Sequence, residues 1–126
     1  MLDTSALMAI LNEEPGAETV TERLESLDTF AMSTANASEA YGMLLGRGIG
    51  SAEAWEAVTA SIPLIEPFDE EQAKIAGQLL PRTRSLGLSL GDRACLALAM
   101  VLEAPVYTAD RAWKALKLGV PIHVIR

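Results

Sequence analysis

The sequence predicts a single α/β domain, residues 1–126, with a central parallel sheet of four to five strands flanked by helices. Its 126 residues are a usual length for one domain, and half of them are hydrophobic, which is enough for a sizeable core. Short apolar runs alternate along the chain with segments whose apolar residues recur at helical spacing. That alternation is typical of βαβ units, whose strands run parallel.

The first half of the chain predicts three strands and four helices. A very short strand, Met1-Leu2, leads into Asp3, and further strands are expected at 29–33 and 62–68. Pro63 and Pro67 restrict the strand at 62–68 to a sheet edge, because proline has no amide hydrogen to donate to a neighbouring strand. The helices are predicted at 6–11, 17–27, 36–45 and 52–61, with Pro15 and Gly16 between the first two and glycines at 46, 48 and 50 between the last two.

The second half predicts three helices and two further strands. Asp69 caps a helix that runs towards Leu80, and Pro81 should kink or end that helix. A strongly apolar helix at 90–103 is expected to be central and buried. A strand at 105–108, a short helix at 110–117 and a last strand at 122–125 complete the sheet.

The net charge of −7 argues against a protein that holds nucleic acid by overall charge alone. The charge is unevenly distributed: residues 1–73 carry fourteen acidic and two basic residues, whereas residues 74–126 carry three acidic and eight basic ones. The second half can therefore present a local surface to phosphate, or simply a solvated face, through Arg82, Arg84, Arg93, Arg111, Lys114 and Lys117.

Cysteine usage and hydropathy indicate a cytoplasmic protein. The one cysteine, Cys95, excludes an internal disulfide and fits a reducing compartment, and its apolar neighbours indicate a buried structural thiol. The first residues lack the basic start of a signal peptide. No stretch approaches the roughly 18 to 20 apolar residues that a membrane span needs, so we expect no membrane association.

Four carboxylates stand at corresponding places in the predicted layout. Asp3 follows the first strand, Glu39 lies near the start of the helix after the second, Asp92 lies in the first turn of the buried helix, and Asp110 follows the strand at 105–108. The carboxyl ends of parallel strands form the ligand crevice of an open sheet. We therefore expect the four side chains at one edge.

Each of these acids alone has a simpler explanation as a helix cap. Aspartate is a preferred N-cap, and Asn36 and Ser89 each precede one of the four acids by three residues, as in a capping box. Four carboxylates in one crevice are harder to explain in this way. Two carboxylates about 4 Å apart repel by roughly 4 kcal/mol at an effective dielectric constant of 20. Convergence therefore predicts a bound cation.

Oxygen ligands favour Mg²⁺ or Mn²⁺ over zinc, for which only His123 and Cys95 supply nitrogen or sulfur. Such a metal suits phosphodiester hydrolysis, because it activates water, neutralises the phosphate and stabilises the leaving oxygen. We expect Asp3 and Asp92 as the principal ligands. The other two acids would bind a second metal or metal-bound water, and the hydroxyls of Ser5 and Thr108 either support this shell or only cap helices.

The acidic segments resemble PIN-domain toxins of the VapC type. The segment 2–7, Leu-Asp-Thr-Ser-Ala-Leu, together with 12–18 is similar to the opening of these toxins, and Ser38-Glu39 is similar to their second acidic segment. The segments 88–97 and 108–113 resemble the third and fourth, in the family's order. Two features depart from the pattern: only two residues precede Asp3, and Pro81 interrupts a helix.

The resemblance implies a PIN-like three-layer fold and a divalent-metal endoribonuclease that cuts RNA, with Asp3, Glu39, Asp92 and Asp110 as its acidic site. It also implies a homodimer and a cognate VapB-type antitoxin that inserts a segment over the site. An arginine in such a segment would pair well with clustered carboxylates.

Three other functions fit parts of the pattern. A silent binding module with the same fold is disfavoured by the presence of all four acids, and a failure to bind Mn²⁺ would favour it. A phosphate-accepting receiver domain is set aside, because Thr4 rather than a second acid follows Asp3 and no lysine follows the last strand. A nuclease that cuts DNA stays open, because the metal acts on the phosphate and not on the sugar.

Overall fold

Leu2 joins two pairs of short parallel strands into one sheet. The computed structural model describes residues 1–26, 30–60 and 62–126. In it, β1 (Ala31–Ser33) pairs with β2 (Leu64–Glu66), and β3 (Val106–Thr108) pairs with β4 (Ile122–Val124). The amide of Leu2 donates to the carbonyl of Ala31 at 3.1 Å, and Leu2 forms a parallel bridge with Tyr107. The order across the sheet is therefore β2, β1, Leu2, β3, β4.

This order confirms the predicted parallel sheet and the position of β2 at its edge. Each paired strand is only three residues long, shorter than the runs that the sequence predicts at 29–33, 62–68, 105–108 and 122–125. Leu27, Thr29 and Ser61, which the sequence places at predicted element ends, lie outside the described residues.

The described residues form six α-helices and two 3₁₀ helices around the sheet. The α-helices are α1 (Thr4–Leu11), α2 (Ala17–Ser26), α3 (Thr34–Gly46), α4 (Ser51–Thr59), α5 (Glu70–Thr83) and α6 (Leu90–Leu102), and the 3₁₀ helices are Arg84–Leu86 and Arg111–Ala115. Side chains of Asp3, Ser33, Asp69 and Ser89 cap four of the α-helices by accepting hydrogen bonds from backbone amides. Within the described ranges, no helix is long and apolar enough to cross a bilayer.

The helices cover both faces of the sheet, which gives three layers. Val106 and Tyr107 are neighbours on β3 but belong to different core clusters, because successive side chains of a strand point to opposite faces. One cluster packs against α1 to α4 around Leu7 and Met32, and the other against α5 and α6 around Trp113. Cys95 lies buried in the second cluster, as predicted.

Two predicted helix ends are wrong. Of the two effects predicted for Pro81, a kink or an end, the end is wrong: α5 continues to Thr83, whose hydroxyl donates to the carbonyl of Leu79 at 2.9 Å. The missing amide of Pro81 removes one intrahelical hydrogen bond, and only two more residues of α5 follow it. The segment predicted as a helix at 110–117 is instead the 3₁₀ helix Arg111–Ala115.

The predicted capping box at Asn36 and Glu39 is also wrong. The helix starts two residues earlier than predicted, at Thr34, because the hydroxyl of Ser33 accepts from the amide of Ala35 at 3.2 Å and caps it. Asn36 therefore lies inside α3, where it is buried, and Glu39 lies in the second turn. The acid at position 39 needs an explanation other than capping.

Candidate active site

Asp3 is the buried centre of the site, and its side chain is 2% exposed. It caps α1 immediately after Leu2, and its Oδ1 accepts from the amide of Ala6 at 2.8 Å. The hydroxyl of Ser5 lies 2.8 and 2.9 Å from the two carboxylate oxygens, and that of Thr108 donates to Oδ2 at 2.7 Å. Both hydroxyls thus contact the carboxylate directly.

Burial raises the pKa of Asp3 to about 6. The hydrogen bonds from Ala6, Thr108 and Ser5 favour the ionised carboxylate and act against this rise, whereas the negative charge of Asp92 adds to it. The Asp3 carboxyl therefore reaches its ionisation midpoint about one pH unit below neutrality, and a nearby cation would favour its charged form.

The loop after β3 is tied to Asp3 through the same two hydroxyls. The amide of Ala109 donates to Oγ of Ser5 at 2.9 Å, and the amide of Asp110 donates to Oγ1 of Thr108 at 3.0 Å. Ser5 and Thr108 each accept from this loop while they contact the Asp3 carboxylate. The loop that carries Asp110 therefore has a fixed position relative to Asp3.

The carboxylate of Asp110 caps the 3₁₀ helix that follows it. Its Oδ1 accepts from the amide of Ala112 at 2.9 Å, and the residue is exposed. Asp110 and Ser5 also line a cavity of about 480 Å³, together with Ala109, Arg111 and Arg126. The capping role weighed for Asp110 is correct, and its side chain lies beside an open space as well.

Glu39 belongs to a network that joins α1, α3 and α6. The hydroxyl of Thr4 donates to Oε2 of Glu39 at 2.6 Å. The amide nitrogen of Asn36 donates to Oγ1 of Thr4 at 3.1 Å and to the carbonyl of Gly91 at 3.0 Å. Glu39 is half-buried, Asn36 is fully buried, and Oδ1 of Asn36 has no hydrogen-bond partner among the described residues.

Asp92 forms the predicted capping box with Ser89 at the start of α6. Its Oδ2 accepts from the amide of Ser89 at 2.9 Å, and its own amide donates to Oγ of Ser89 at 3.2 Å. The side chain is half-buried, and its negative charge makes a small contribution to the raised pKa of Asp3. Asp92 therefore caps the start of α6 and also acts electrostatically on Asp3.

The family profile of the PIN domain matches residues 1–118. The chain belongs to the PIN domain family. Its fold is similar to VapBC2 from Rickettsia felis bound to a promoter DNA fragment, with a TM-score of 0.74, 18% identity and coverage of 98% of this chain and 96% of that one.

Two further solved structures share the fold. VapBC-1 from nontypeable Haemophilus influenzae has a TM-score of 0.72 at 18% identity, covering 98% of this chain and 95% of that chain. A toxin–antitoxin complex from Klebsiella pneumoniae has a TM-score of 0.70 at 17% identity, covering 94% and 92%. A comparison with curated proteins finds no match. The predicted PIN-like α/β fold is thereby confirmed.

Two hydrogen-bond networks reach the segments that carry the four predicted acids of this PIN domain. Asp3 connects with the Asp110 loop through Ser5 and Thr108, and Glu39 connects through Thr4 and Asn36 with Gly91, which precedes Asp92. Both networks begin in the first turn of α1. Across residues 1–26, 30–60 and 62–126, no three histidine, cysteine, aspartate or glutamate side chains form a single cluster placed to hold a metal ion.

The donor chemistry of the PIN domain fits a hard divalent cation bound by few protein ligands. Mg²⁺ keeps several waters and needs only one or two carboxylates beside substrate phosphate, and the buried carboxyl of Asp3 is a ligand of this kind. The two zinc donors do not fit. His123 is exposed and stacks on Tyr107 at a centroid distance of 4.9 Å, and burial raises the pKa of Cys95, which keeps the thiol protonated.

Sequence reasoning missed Thr4, Gly91 and the network role of Asn36. No sequence pattern indicates that Thr4 contacts Glu39, because a threonine after Asp3 is an ordinary residue in the first turn of a helix. Asn36 offers a signal in retrospect: it is a polar residue between Ala35 and Ala37 in a helix that faces the core. Its partners lie 32 and 55 residues away in the chain, so no local pattern identifies them.

Proposed function

We propose that this PIN domain is a divalent-metal-dependent endoribonuclease that hydrolyses RNA phosphodiester bonds and serves as the toxin of a VapBC-type pair. The observation that carries the proposal is Asp3, a buried carboxyl whose pKa is raised to about 6, chiefly by burial and to a smaller degree by the charge of Asp92. Buried carboxyls with shifted pKa values beside a second acid are characteristic of functional sites.

Asp3 and Asp92 would hold the principal Mg²⁺ or Mn²⁺, with Glu39 and Asp110 binding a second ion or metal-bound water. A bound ion would supply Lewis acidity towards the phosphate and a water of lowered pKa. The hydroxyls of Ser5 and Thr108 orient the Asp3 carboxylate by donating to it, and Thr4 orients the Glu39 carboxylate in the same way.

The partners follow from the same proposal. We infer RNA as the substrate, a VapB-type antitoxin as the inhibitor, a homodimer as the assembly and the cytoplasm as the site of action. The fold shared with three toxin–antitoxin structures supports the antitoxin. A basic, arginine-bearing antitoxin segment would be attracted to a site that contains four carboxylates.

The proposal is tested by incubating the purified chain with a mixed RNA pool in Mg²⁺ or Mn²⁺, in EDTA, and as Asp92→Asn. Asparagine is also found at helix starts, so the variant should remain folded, yet it removes one charge from the proposed ligand pair. The expected result is metal-dependent cutting that falls at least about a hundredfold in the variant, the size of effect seen when a group that stabilises a transition state is removed.

Asp69→Asn is the matched control, because Asp69 caps α5 through the amide of Gln72 at 2.9 Å and is not among the four proposed acids. It should cut RNA like the wild type. Unchanged cutting by Asp92→Asn would show that the metal ligands are placed wrongly. No cutting together with no Mn²⁺ binding by calorimetry would favour a silent binding module, and equal cutting of single-stranded DNA would favour a nuclease that does not read the sugar.

A further inference from the structure

Two arginines line the cavity that begins beside Asp110. Arg111 follows Asp110 directly, and Arg126 comes after β4, so the two reach the cavity of about 480 Å³ from different segments. Nε of Arg111 donates to the backbone oxygen of Arg126 at 3.4 Å, so the two residues are in contact. Both residues are exposed.

The same cavity is separated from the Asp3 carboxylate by a single side chain. Ser5 lines the cavity, and its hydroxyl contacts both oxygens of Asp3 at 2.8 and 2.9 Å. A group bound between the arginines would therefore lie next to the proposed metal site and not on a remote surface. The cavity is a continuation of the site along the Asp110 loop.

An acidic protein with a carboxylate site needs local positive charge to accept a polyanion. The chain carries a net charge of −7, and the four proposed acids would repel the phosphates of an approaching strand. Guanidinium groups bind phosphate oxygens through paired, charge-assisted hydrogen bonds. Two of them beside Asp110 supply the positive charge where the strand must pass.

We propose that Arg111 and Arg126 together bind one backbone phosphate of the nucleic-acid strand, next to the bond that is cut. This inference rests on the proposed nuclease function and extends it by assigning a strand-phosphate subsite. Both arginines are positioning residues, because they hold the strand and do not touch the reacting atoms. Arg111 is among the basic residues that the sequence indicates for phosphate, whereas Arg126 is an addition from the structure.

Arg126 can change partners at little cost. Its Nη1 lies 3.4 Å from Oε2 of Glu14, and the two side chains are 40% and 37% exposed. Exposed ion pairs of this kind stabilise a protein very little. A phosphate oxygen can therefore replace Glu14 as the partner of Arg126.

The test measures the affinity of a single-stranded oligoribonucleotide, and of single-stranded DNA of the same sequence, in EDTA so that neither is cut. The proteins are the wild type, Arg111→Gln, Arg126→Gln, the double variant and Lys74→Gln. Lys74→Gln is the matched control, because it also removes one positive charge. Lys74 is exposed on α5, with its Nζ 3.9 Å from Oε1 of Glu70.

Each arginine variant should bind both strands about tenfold more weakly, as expected for the loss of a hydrogen bond to a charged group. The slope of log K against log salt should fall by about 0.7 in the double variant, the value for one phosphate on a single strand. Lys74→Gln should bind like the wild type. In the nuclease assay, KM for RNA should rise in the arginine variants while kcat stays within about twofold.

Equal weakening by Lys74→Gln would show that only overall charge matters, and weakening for RNA but not for DNA would show a contact to the sugar. Either result overturns the phosphate subsite. If the wild type cuts RNA and the arginine variants bind strands normally, the subsite is wrong and the nuclease function stands. If the arginine variants lose affinity but the wild type neither cuts RNA nor binds Mn²⁺, the phosphate contact stands and the nuclease function is wrong.

Discussion

Gly91 lies directly against the carboxyl group of Glu39, with no space for a methyl group between them. A Cβ atom placed on Gly91 would overlap the Glu39 carboxyl group. The carbonyl of Gly91 also accepts from the side chain of Asn36 at 3.0 Å. The first turn of α6 and the second turn of α3 are therefore in close contact, and the missing side chain at position 91 leaves the space that the Glu39 carboxylate occupies.

Gly91→Ala should strongly reduce the rate of RNA cleavage while it changes the stability of the fold only slightly. The added methyl group displaces the Glu39 carboxylate and with it the 2.6 Å hydrogen bond from Thr4. The displaced group is the end of a flexible side chain, and alanine favours the helix over glycine by up to about 1 kcal/mol, so the melting temperature should change by only a few degrees. We expect at least a tenfold loss of cleavage in a metal-containing assay.

Gly77→Ala provides the control for the glycine substitution. Gly77 also lies inside an α-helix, α5, and a Cβ atom there meets nothing within 4 Å. This variant should be slightly more stable than the wild type and cut RNA at the same rate. Wild-type cleavage by Gly91→Ala would mean that the position of the Glu39 carboxylate does not matter for the reaction.

The features of this molecule that the sequence predicts correctly depend on interactions between residues close together in the chain. The caps formed by Asp3, Asp69 and Ser89 each join a side chain to an amide three residues away, and the sequence indicates all three. The same locality misleads at Asn36, where a pattern that looks like a cap is a buried cross-link between helices. Local signals identify which residues begin a helix, but they do not show which helices meet.

The sheet illustrates a second limit. The sequence predicts five parallel segments in the correct order along the chain, yet it does not show that the segment around Leu2 joins the two strand pairs. That role depends on a hydrogen bond from the Leu2 amide to Ala31 and on hydrogen bonds that Met1 and Asp3 make with Tyr107, and both partners are distant in sequence. The sequence also does not distinguish the 3₁₀ helix at Arg111–Ala115 from an α-helix, because the side chain of Asp110 caps its start just as it would cap an α-helix.

Asp3 should make the metal-free protein less stable as pH rises. Its pKa is about 6 in the folded chain and near 3.8 when unfolded, so the folded state binds its proton more tightly. The stabilisation from this group is complete below about pH 4 and is lost as pH rises through about 6. The loss between pH 4 and pH 8 should be about 2–3 kcal/mol, since one unit of pKa corresponds to about 1.4 kcal/mol.

The measurement is denaturant unfolding in EDTA from pH 4 to pH 8, for the wild type and for Asp3→Asn. Asparagine does not titrate, so the difference in unfolding free energy between the two proteins isolates this one carboxyl from all others. The free energy of unfolding of Asp3→Asn, relative to that of the wild type, should increase steadily as pH rises. A difference that is constant across this range would show that burial does not shift the pKa of Asp3.

Asn36→Ala should destabilise the fold by about 2–3 kcal/mol, because it removes the donor of two buried hydrogen bonds, to Thr4 and to the Gly91 carbonyl. The effect should not exceed this range, since Oδ1 of Asn36 has no partner in the described part of the chain and its removal relieves an unpaired buried acceptor. Denaturant unfolding at neutral pH measures the change in free energy.

Asn12→Ala is the control for Asn36→Ala. The side chain of Asn12 is exposed and accepts one hydrogen bond, from Nη1 of Arg47 at 2.8 Å. Its replacement should change the free energy of unfolding by no more than about 0.5 kcal/mol. Equal effects of the two variants would contradict a structural role for the buried amide.

Cleavage rates distinguish the role of Asn36 from that of the contact between Gly91 and Glu39, because Asn36→Ala leaves the hydrogen bond from Thr4 to Glu39 in place. Its cleavage rate at a temperature where it is folded should therefore exceed that of Gly91→Ala, although Gly91→Ala is the more stable protein.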